Sequence, residues 1–390
     1  MISIPTPEVR VSARGAARVR SSHPWVFRDD VADSDARNGD VVRVSTAHGA
    51  FLGHAFYSSA SKIALRFLSR AEEAPDERFW ESRVADALAY RSRVVEDAEG
   101  YRILFGESDG IPGLVADLYG RHLVVQPLTM GAERVLGPVL AVLEERIGPE
   151  SVLARRDAAV RALEGLPREV VQLRGHTPES VDVREGPIRY DADPWKGQKT
   201  GAFLDQRENR SVAARYSCGR VLDVFSYHAS FALHAAAHAE EVIAVDSSAE
   251  AIARGRENAQ ANGVSRIAFV EANAFDDLRE RQRRGEKFDM VVLDPPAFAK
   301  SRADVPAARR GYKEINLRAM QILAPGGILV TCSCSYNLSE EEFSALVASA
   351  AADAHLRFRV VEKRTQARDH PIRLGFPESH YLKCLILQLA

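Results

Sequence analysis

The chain has 390 residues, of which 46% are hydrophobic, and its formal net charge is −2. This length predicts two or three domains, and the apolar fraction suffices for packed cores, which excludes a disordered chain. No apolar run reaches the length of a membrane span, and the N-terminus lacks the charged-then-apolar pattern of a secretory signal. The four cysteines form neither a disulfide framework nor a four-ligand zinc spacing, so we expect no metal and a reducing, cytoplasmic location.

The first 72 residues are predicted to form a small β domain. Short strand-like runs begin at Val41, Ala50 and Ile63, and turn-forming residues such as Asn38-Gly39-Asp40 separate them. Residues 1–70 contain ten Lys/Arg and six Asp/Glu. This local positive excess fits a phosphate-contacting face and fits an ordinary solvated surface equally well.

Residues 73–185 are predicted to form a second, α+β domain. Apolar residues at helical spacing follow Pro75, then strands flank a Gly/Pro-rich turn after Tyr101, and an amphipathic helix covers Ala132–Ile147. From residue 186 onwards, strands alternate with segments of helix length. This alternation predicts a mainly parallel sheet with helices on both faces.

Gly219–Asp246 has the order of a Rossmann-type nucleotide pocket. We predict a strand over Arg220–Phe225, a helix over Phe231–Ala239 and a second strand over Glu241–Val245, followed by an acid that accepts hydrogen bonds from ribose hydroxyls. The usual glycines of the intervening loop are replaced by His228-Ala-Ser. On this stretch alone, a doubly wound sheet without a nucleotide therefore remains an alternative.

Five chemically useful side chains fall at predicted strand ends. Ligands of parallel sheets bind beyond the carboxyl ends of the strands, so this coincidence predicts one pocket. The five residues are Asp223, Asp246, Asn273, Asp294 and Cys332.

Two segments beside these ends carry candidate chemistry. Asp294-Pro-Pro-Ala-Phe places a rigidly held acid near the flat face of Phe298. An acid and an aromatic face together suit the edge and the ring of a nucleobase. The plainer interpretation is a solvated acid after a core strand. Lys199–Arg210 is either a capped helix start or a lid that directs Gln206 and Arg207 at the polar end of a cofactor.

Thr331-Cys-Ser-Cys-Ser contains a candidate nucleophile. A free cysteine is most often inert core, but a thiolate that adds to C6 of cytosine makes C5 reactive towards a sulfonium methyl group. The thiolate is the reacting form of cysteine. No third or fourth ligand of matching spacing accompanies the C-x-C pair, so a metal site is not expected.

Taken together, these motifs resemble the bacterial S-adenosylmethionine-dependent rRNA methyltransferases that make 5-methylcytidine in large-subunit RNA (RlmI-like). The N-terminal runs Ser22-His-Pro-Trp-Val-Phe and Gly53–Tyr57 resemble the PUA domain of that family, an RNA-binding β barrel. The other matching motifs, in chain order, are Gly201-Ala-Phe-Leu-Asp-Gln-Arg, Ser226-Tyr227, Asp294-Pro-Pro-Ala-Phe-Ala-Lys-Ser, Thr331-Cys-Ser-Cys-Ser and Ser379-His-Tyr-Leu-Lys.

The resemblance implies a PUA-like β barrel at residues 1–72, a small α+β domain at 73–185 and a class I Rossmann-like methyltransferase domain at 186–390. The last domain would have a mostly parallel seven-stranded sheet. The implied cofactor is S-adenosylmethionine and the implied partner is large-subunit rRNA, with no membrane. The sequence leaves the oligomeric state open, with a homodimer as one option.

The resemblance also implies residue roles. Asp294 would hold the edge of the target base and Cys332 would be the nucleophile, with Cys334 as the alternative. The cofactor would be bound by Gln206, Arg207, Asp223, Phe225, Tyr227, Asp246, Asn273 and Asp294.

Two departures from the family pattern leave alternatives open. His228-Ala-Ser either lowers cofactor affinity or allows the loop an ordinary backbone conformation, and Asn273 stands where an acid is common. The resemblance also implies a runner-up function, because relatives in the wider group methylate guanine without a covalent cysteine: methylation of guanine in rRNA with Cys332 not taking part. A third hypothesis is an RNA-binding protein with a decayed pocket, while Asp294-Pro-Pro and the PUA-like start argue against a nicotinamide dehydrogenase.

Overall fold

The computed structural model describes residues 6–299 and 301–390, which form two compact units. Unit 1 comprises Met1–Val183, Ala192–Leu204 and Arg368–Ser379, and unit 2 comprises Arg184–Asp191, Asp205–Ala367 and His380–Ala390. Unit 1 thus contains the first two predicted domains together, and the three-domain division stays a prediction. None of the described helices is long and apolar enough to cross a bilayer.

The first sheet of unit 1 has six strands in the order β2-β6-β5-β4-β1-β3. Alternate valines of β1 and β4 are fully buried, as the two-residue period of a strand requires. The strands predicted near residues 41, 50 and 63 are present, whereas the first helix and three short strands were not predicted. The elements are β1 (Glu8–Val11), α1 (Ala13–Arg20), β2 (Trp25–Phe27), β3 (Val31–Ser34), β4 (Val41–Thr46), β5 (Phe51–Tyr57) and β6 (Ile63–Ser69).

The second sheet of unit 1 has five strands in the order β11-β10-β9-β8-β7, and two 18-residue helices belong to the same unit. Each helix starts at a side-chain cap, Asp76 for the first and Thr129 for the second. The elements are α2 (Glu77–Val94), β7 (Gly100–Phe105), β8 (Leu114–Tyr119), β9 (His122–Pro127), α3 (Met130–Ile147), β10 (Ser151–Arg155) and β11 (Val170–Arg174).

The third sheet is a two-stranded pair, and unit 2 contains a seven-stranded sheet in the order β16-β15-β14-β17-β18-β20-β19. The first five strands of this order are parallel, and β20 is antiparallel to both neighbours. The strands are β12 (Val181–Glu185), β13 (Ile188–Ala192), β14 (Arg220–Val224), β15 (Glu241–Asp246), β16 (Ile267–Glu271), β17 (Phe288–Leu293), β18 (Leu323–Ser333), β19 (Phe358–Arg364) and β20 (Lys383–Leu389).

Helices cover both faces of this sheet. Leu222 and Val224 of β14 pack towards α7, α8 and α9, while Val221 packs with α5 and α6 on the other face. The helices are α4 (Arg207–Ala214), α5 (Ser230–Ala235), α6 (Ala249–Ala261), α7 (Ala274–Arg283), α8 (Val305–Gln321) and α9 (Glu340–Asp353). Helix α5 ends four residues before the predicted Ala239.

The strand order reverses at β14, which pairs with β15 on one side and with β17 on the other. The connections leaving these strands diverge to opposite faces of the sheet and open a crevice at its carboxyl edge, the usual ligand site of doubly wound sheets. The predicted mainly parallel sheet is therefore confirmed, and its carboxyl edge stays the predicted ligand site.

A buried ionic cluster connects the elements that border this crevice. Glu185 accepts hydrogen bonds from Arg210 of α4 at 2.6 and 2.7 Å, and His234 of α5 lies 3.0 Å away. Burial opposes ionisation of Glu185, but the Arg210 charge and both hydrogen-bond partners hold the pKa of this carboxyl well below its ordinary value. The cluster fixes α4 and α5 relative to each other.

We therefore expect Arg210→Met to lower the free energy of unfolding by about 3–5 kcal/mol, because it leaves the Glu185 carboxylate buried without its partner. Arg284→Met, which removes an exposed partner of Glu280, should cost at most about 1 kcal/mol. Urea unfolding followed by circular dichroism measures both. Equal effects of the two substitutions would contradict a structural role for the buried cluster.

Candidate functional site

The loop between β14 and α5 has a left-handed backbone at three residues that are not glycine. The φ angles of Phe225, Tyr227 and Ala229 are 64°, 48° and 63°. Each costs roughly 1–2 kcal/mol relative to an ordinary conformation. The alternative that this loop adopts an ordinary backbone is therefore wrong. The positive φ values fall beside His228 and Ser230 rather than on them.

Hydrogen bonds from the neighbouring strand and helix offset this strain. The backbone N–H of Ser226 donates to the Val245 carbonyl at 3.0 Å, and the Asn258 side chain of α6 donates to the His228 carbonyl at 3.2 Å. The Ala229 methyl group packs beside Gly255, where a side chain would meet Phe269. The loop is thus held in the tight form that a glycine-rich loop usually adopts.

Asp246 lies at the end of β15, and its carboxylate is already oriented. It accepts hydrogen bonds from the backbone N–H of Tyr227 and of Ser248, both at 2.9 Å. A carboxylate has about four acceptor positions, so two remain for the ribose hydroxyls expected from the sequence. The same carboxylate therefore orients the loop and presents acceptors at the sheet edge.

Asp223 of β14 is fully buried and only half satisfied. One carboxyl oxygen accepts from the backbone N–H of Ala232 at 3.0 Å, while the other, Oδ1, has no hydrogen-bond partner among the described residues. Burial raises the pKa of Asp223 to about 8, and the nearby Asp294 and Asp246 carboxylates act in the same direction. A buried acceptor in this state favours a cationic or hydrogen-donating ligand group.

Gln206 and Asp294 are brought together, as the pocket hypothesis requires. The Gln206 amide donates to Asp294 at 2.7 Å, and its oxygen accepts from Asn209 at 2.7 Å, so the glutamine orientation is fixed from both sides. Arg207, the neighbouring predicted residue, is buried at the start of α4. Gln206 makes no side-chain cap at the start of α4 and is instead directed at Asp294, so the lid over a cofactor stays a prediction.

Aromatic rings surround the Asp294 loop. The Phe298 ring packs 4.6 Å from Tyr312 of α8 and meets Phe225 edge to face at 6.3 Å. Tyr227 stacks on His228 with ring centroids 3.6 Å apart. Phe225, Tyr227 and Phe298 are each partly exposed, so part of their surface is available to a ligand. Lys300, which follows in the same motif, lies outside the described residues.

The side chain of Asn273 is the N-cap of α7. Its side-chain oxygen caps α7 by accepting from the N–H groups of Phe275 at 3.0 Å and Asp276 at 3.4 Å. The amide NH2, rather than the oxygen, is then the group with which this exposed side chain can address a nucleobase.

Cys332 is fully buried in the core beneath α5. It pairs across the sheet with Cys384, and both thiols are free and buried. The hydrogen bond with Cys384, burial and the nearby Asp294 hold the pKa of Cys332 well above its ordinary value. A buried, protonated thiol is a poor nucleophile in this state.

Cys334 lies one residue beyond the end of β18 and is partly exposed. Its Sγ is 3.9 Å from the carbonyl oxygen of Pro295, so it faces the Asp294 loop. Lys383 is buried beside it, and its ammonium donates to the carbonyls of Ser335 at 2.7 Å and Tyr381 at 2.9 Å. Burial lowers the pKa of Lys383 to about 8, and the charge of a Cys334 thiolate acts in the opposite direction.

Sequence reasoning missed Lys383, although the motif Ser379-His-Tyr-Leu-Lys contains it. No local pattern could have indicated a role for this lysine, because it is the antiparallel pairing of β18 with β20 that brings Lys383 to Cys334. Contacts between residues distant in sequence also fix the turn after Cys334. The Ser335 hydroxyl accepts from the backbone N–H of Ala299 at 3.2 Å and bonds to the Tyr312 hydroxyl at 2.9 Å.

Comparison with known proteins agrees with this architecture. A family model described as S-adenosylmethionine-dependent methyltransferase matches residues 156–371, and a PUA-like domain model matches residues 9–70. Relatives from Aeromonas salmonicida and Aeromonas hydrophila, both named ribosomal RNA large subunit methyltransferase I, are 39% and 40% identical to this chain, and the matches cover 94% of it and 95% of each relative. The chain belongs to the ribosomal RNA large subunit methyltransferase I family.

Solved structures show the same fold. An S-adenosylmethionine-dependent methyltransferase described from Streptococcus mutans has a TM-score of 0.84 at 19% identity, over 98% of this chain and 99% of that one. A methyltransferase solved with S-adenosylhomocysteine has a TM-score of 0.85, also at 19% identity. The predicted family, fold class and cofactor, S-adenosylmethionine, are thereby confirmed.

The residues present fit the cofactor of the ribosomal RNA large subunit methyltransferase I family. The unpartnered Asp223 Oδ1 is a buried acceptor suited to the ammonium group of the methionine portion. Asp246 keeps acceptor positions at the adjacent strand end, and the tight loop between them leaves the backbone close to the crevice. The roles of Asp223 and Asp246 remain predictions.

Asp223 should make the stability of the ligand-free protein depend on pH. Its folded pKa of about 8 exceeds the unfolded value of about 4, so only the folded state keeps the proton between these values. The contribution of Asp223 to the free energy of unfolding should therefore be fully present below pH 4 and fall by up to about 1.4 kcal/mol per pH unit as pH rises towards 8.

Asp223→Asn should remove this dependence, since the amide oxygen can still accept from Ala232 and carries no charge. Urea unfolding of both proteins at pH 6, 7 and 8 tests the prediction. Parallel stability profiles for the two proteins would show that Asp223 does not titrate as expected.

Proposed function

We propose that this protein transfers a methyl group from S-adenosylmethionine to C5 of a cytidine in large-subunit rRNA, through a transient bond between the base and a cysteine. The observation that supports the proposal most strongly is the position of Cys334. Its partly exposed thiol lies at the carboxyl edge of the sheet, against the loop of Asp294 and beside the buried ammonium of Lys383.

Between the two cysteines, the geometry favours Cys334 over Cys332 as the nucleophile. A positive charge favours the thiolate, which is the reacting form, and Lys383 supplies such a charge next to Cys334. Cys332 instead shares a buried hydrogen bond with Cys384, which keeps it protonated. This reverses the order of preference that the Thr-Cys-Ser motif implied.

The chemistry that the cysteine performs is conjugate addition. The thiolate bonds to C6 of cytosine, and the electrons displaced from the C5–C6 double bond give C5 enamine character. S-adenosylmethionine, when bound, would supply the electrophilic methyl group that C5 requires and would leave as S-adenosylhomocysteine, which keeps the electron pair of the broken S–CH3 bond. Transfer of the C5 proton to water and elimination of the thiolate from C6 then restore the aromatic base and the free cysteine.

Asp294 and Gln206 position the base for this reaction. Gln206 donates to one carboxylate oxygen of Asp294, and the two prolines that follow restrict the backbone. A carboxylate such as that of Asp294 is an acceptor suited to the exocyclic amino group of cytosine, and to its ring N3 edge when that edge carries a proton. Phe298 and Phe225 offer ring surface beside it.

The remaining assignments follow from the same proposal. The cofactor site is proposed to be lined by Gln206, Arg207, Asp223, Phe225, Tyr227, Asp246, Asn273 and Asp294.

The PUA-like domain at 1–72 and the α+β domain at 73–185 would precede the methyltransferase domain at 186–390. We also propose a cytoplasmic location, consistent with four free cysteines, and a homodimer as a candidate assembly.

Methylation of a guanine without a covalent intermediate is the second candidate, and one observation favours it. Cys332, the cysteine of the Thr-Cys-Ser motif, is buried, and its hydrogen bond with Cys384 and its burial hold its pKa well above the ordinary value. A decayed pocket has less support, because the loop keeps its left-handed form and Asp223 keeps an unpartnered acceptor at the crevice.

The product identifies the reaction. Purified protein incubated with methyl-labelled S-adenosylmethionine and unmodified large-subunit RNA should yield labelled 5-methylcytidine on nucleoside analysis. Label in a guanine nucleoside would favour the second candidate. Cofactor binding by calorimetry with no label in any RNA nucleoside would reject rRNA as the substrate.

Two cysteine variants separate the nucleophile from its neighbour. Cys334→Ala should lower methylation by at least about a thousandfold, because it removes the covalent step, while cofactor affinity stays within about twofold. Cys332→Ala should retain most of the activity, since its thiol is fully buried and pairs with Cys384 across the sheet. RNA containing 5-fluorocytidine should form a covalent complex with the wild type and with Cys332→Ala, but not with Cys334→Ala; the reverse pattern would reassign the nucleophile to Cys332.

A further inference from the structure

The turn that follows Cys334 presents an exposed aromatic ring from a rigid support. The Tyr336 side chain is 53% exposed, although Ser335 before it and Leu338 after it are buried. Lys383 and Leu338 both donate hydrogen bonds to the carbonyl oxygen of Ser335, at 2.7 and 3.2 Å. Asn337 donates to the Ala299 carbonyl at 3.4 Å, which connects the turn to the Asp294 loop. The ring therefore stands at the carboxyl edge of the sheet, two residues from the proposed nucleophile.

A cationic groove runs between the two helices that start at this edge. It has a volume of about 210 Å³ and lies between α8 and α9, with Ala345 and Leu346 of α9 among its lining residues. The other lining residues are Arg309, Arg310, Lys313 and Ser349. Arg310 is the sixth residue of α8, about 8 Å along the helix axis from its first residue.

The charges of this groove are available to a ligand. Arg309 lies 3.4 Å from Glu342, and Lys313 lies 2.8 Å from Asp353, but all four side chains are at least one-third exposed. Exposed ion pairs of this kind contribute little and exchange readily for another anion. Arg310 is exposed, and within residues 6–299 and 301–390 no carboxylate lies within ion-pair distance of it.

An exposed aromatic ring and a cationic groove that extends from the same edge of the sheet form a combination that binds single-stranded nucleic acid, with bases stacked on the ring and phosphates in the groove. The reaction itself requires such a strand, because C6 of cytosine is inaccessible inside a stacked helix. We propose that Tyr336 and the groove between α8 and α9 form a binding track for single-stranded RNA next to the target nucleotide. In this track Tyr336 stacks on a nucleobase, and Arg310 contacts a phosphate. The track rests on the proposed function for its ligand, but its geometry is independent of which base is methylated.

The stacking contact predicts a specific pattern among Tyr336 variants. Tyr336→Ala should raise KM for RNA about tenfold, whereas Tyr336→Phe should stay within about twofold of wild type, because the ring and not the hydroxyl makes the contact. Affinity for S-adenosylmethionine, measured by calorimetry, should not change in either variant. An unchanged KM in Tyr336→Ala, or an equal loss in Tyr336→Phe, would overturn the stacking role.

The phosphate contact predicts a change in salt dependence. Binding of a labelled single-stranded RNA of about 12 nucleotides, followed by fluorescence polarisation at several salt concentrations, should give a log–log slope that is shallower by about 0.7 for Arg310→Ala than for the wild type. Arg283→Ala is the matched control: this cation is also exposed and belongs to the same unit, but it ends α7 at the opposite edge of the sheet. Equal slopes for Arg310→Ala and wild type would overturn the groove as a phosphate site.

The outcomes distinguish this inference from the proposed function. Methylation of rRNA with unaltered KM and salt slope in the variants would reject the track and keep the function. Absence of methylation, together with ring-dependent and Arg310-dependent binding of single-stranded RNA, would reject the function and keep the track.

Discussion

The parallel pairing of β14 with both β15 and β17 is the constraint on which the site depends. Parallel strands bring their carboxyl ends to one edge, and the reversal of strand order at β14 separates the following loops and opens a crevice between them. Asp223, Asp246 and Asp294 are more than 70 residues apart in sequence at their extremes, yet they influence one another electrostatically. A register shift of one residue in β14 would turn Asp223 to the opposite face and remove it from the crevice.

Buried charges near this edge fall into two groups with different consequences. Glu185, Arg210 and His234 satisfy one another, so their low-dielectric surroundings strengthen the cluster and fix α4 to α5. Asp223 is also buried, but one of its oxygens has no hydrogen-bond partner among the described residues, and burial raises its pKa to about 8. The first group stabilises the fold, whereas the second is expected to contribute free energy to cofactor binding. Buried ionisable groups with shifted pKa values are common in binding and active sites.

The strained loop and the cysteine pair show how neighbours modify local preferences. Phe225, Tyr227 and Ala229 adopt left-handed angles because Asp246, Val245 and Asn258 hold the loop from three sides. Two cysteines only two residues apart differ completely in surroundings, since Cys332 still belongs to β18 and faces Cys384, while Cys334 has left the strand and approaches the Asp294 loop. The two thiols differ in their surroundings because β18 ends at Ser333, between the two cysteines.

The sequence by itself determined the layered α/β architecture and the family, and it predicted the carboxyl edge of the sheet as the ligand site, because hydrophobic periodicity and strand-end motifs are local properties of the chain. It also located Gln206 and Asp294, which the structure joins by a hydrogen bond. Only the tertiary structure decided the environment of each group. Solvent exposure separates Cys334 from Cys332, antiparallel pairing brings Lys383 to the loop after β18, and the packing of α8 against α9 creates the groove of Arg310. These properties depend on contacts between residues distant in sequence, and no local pattern contains them.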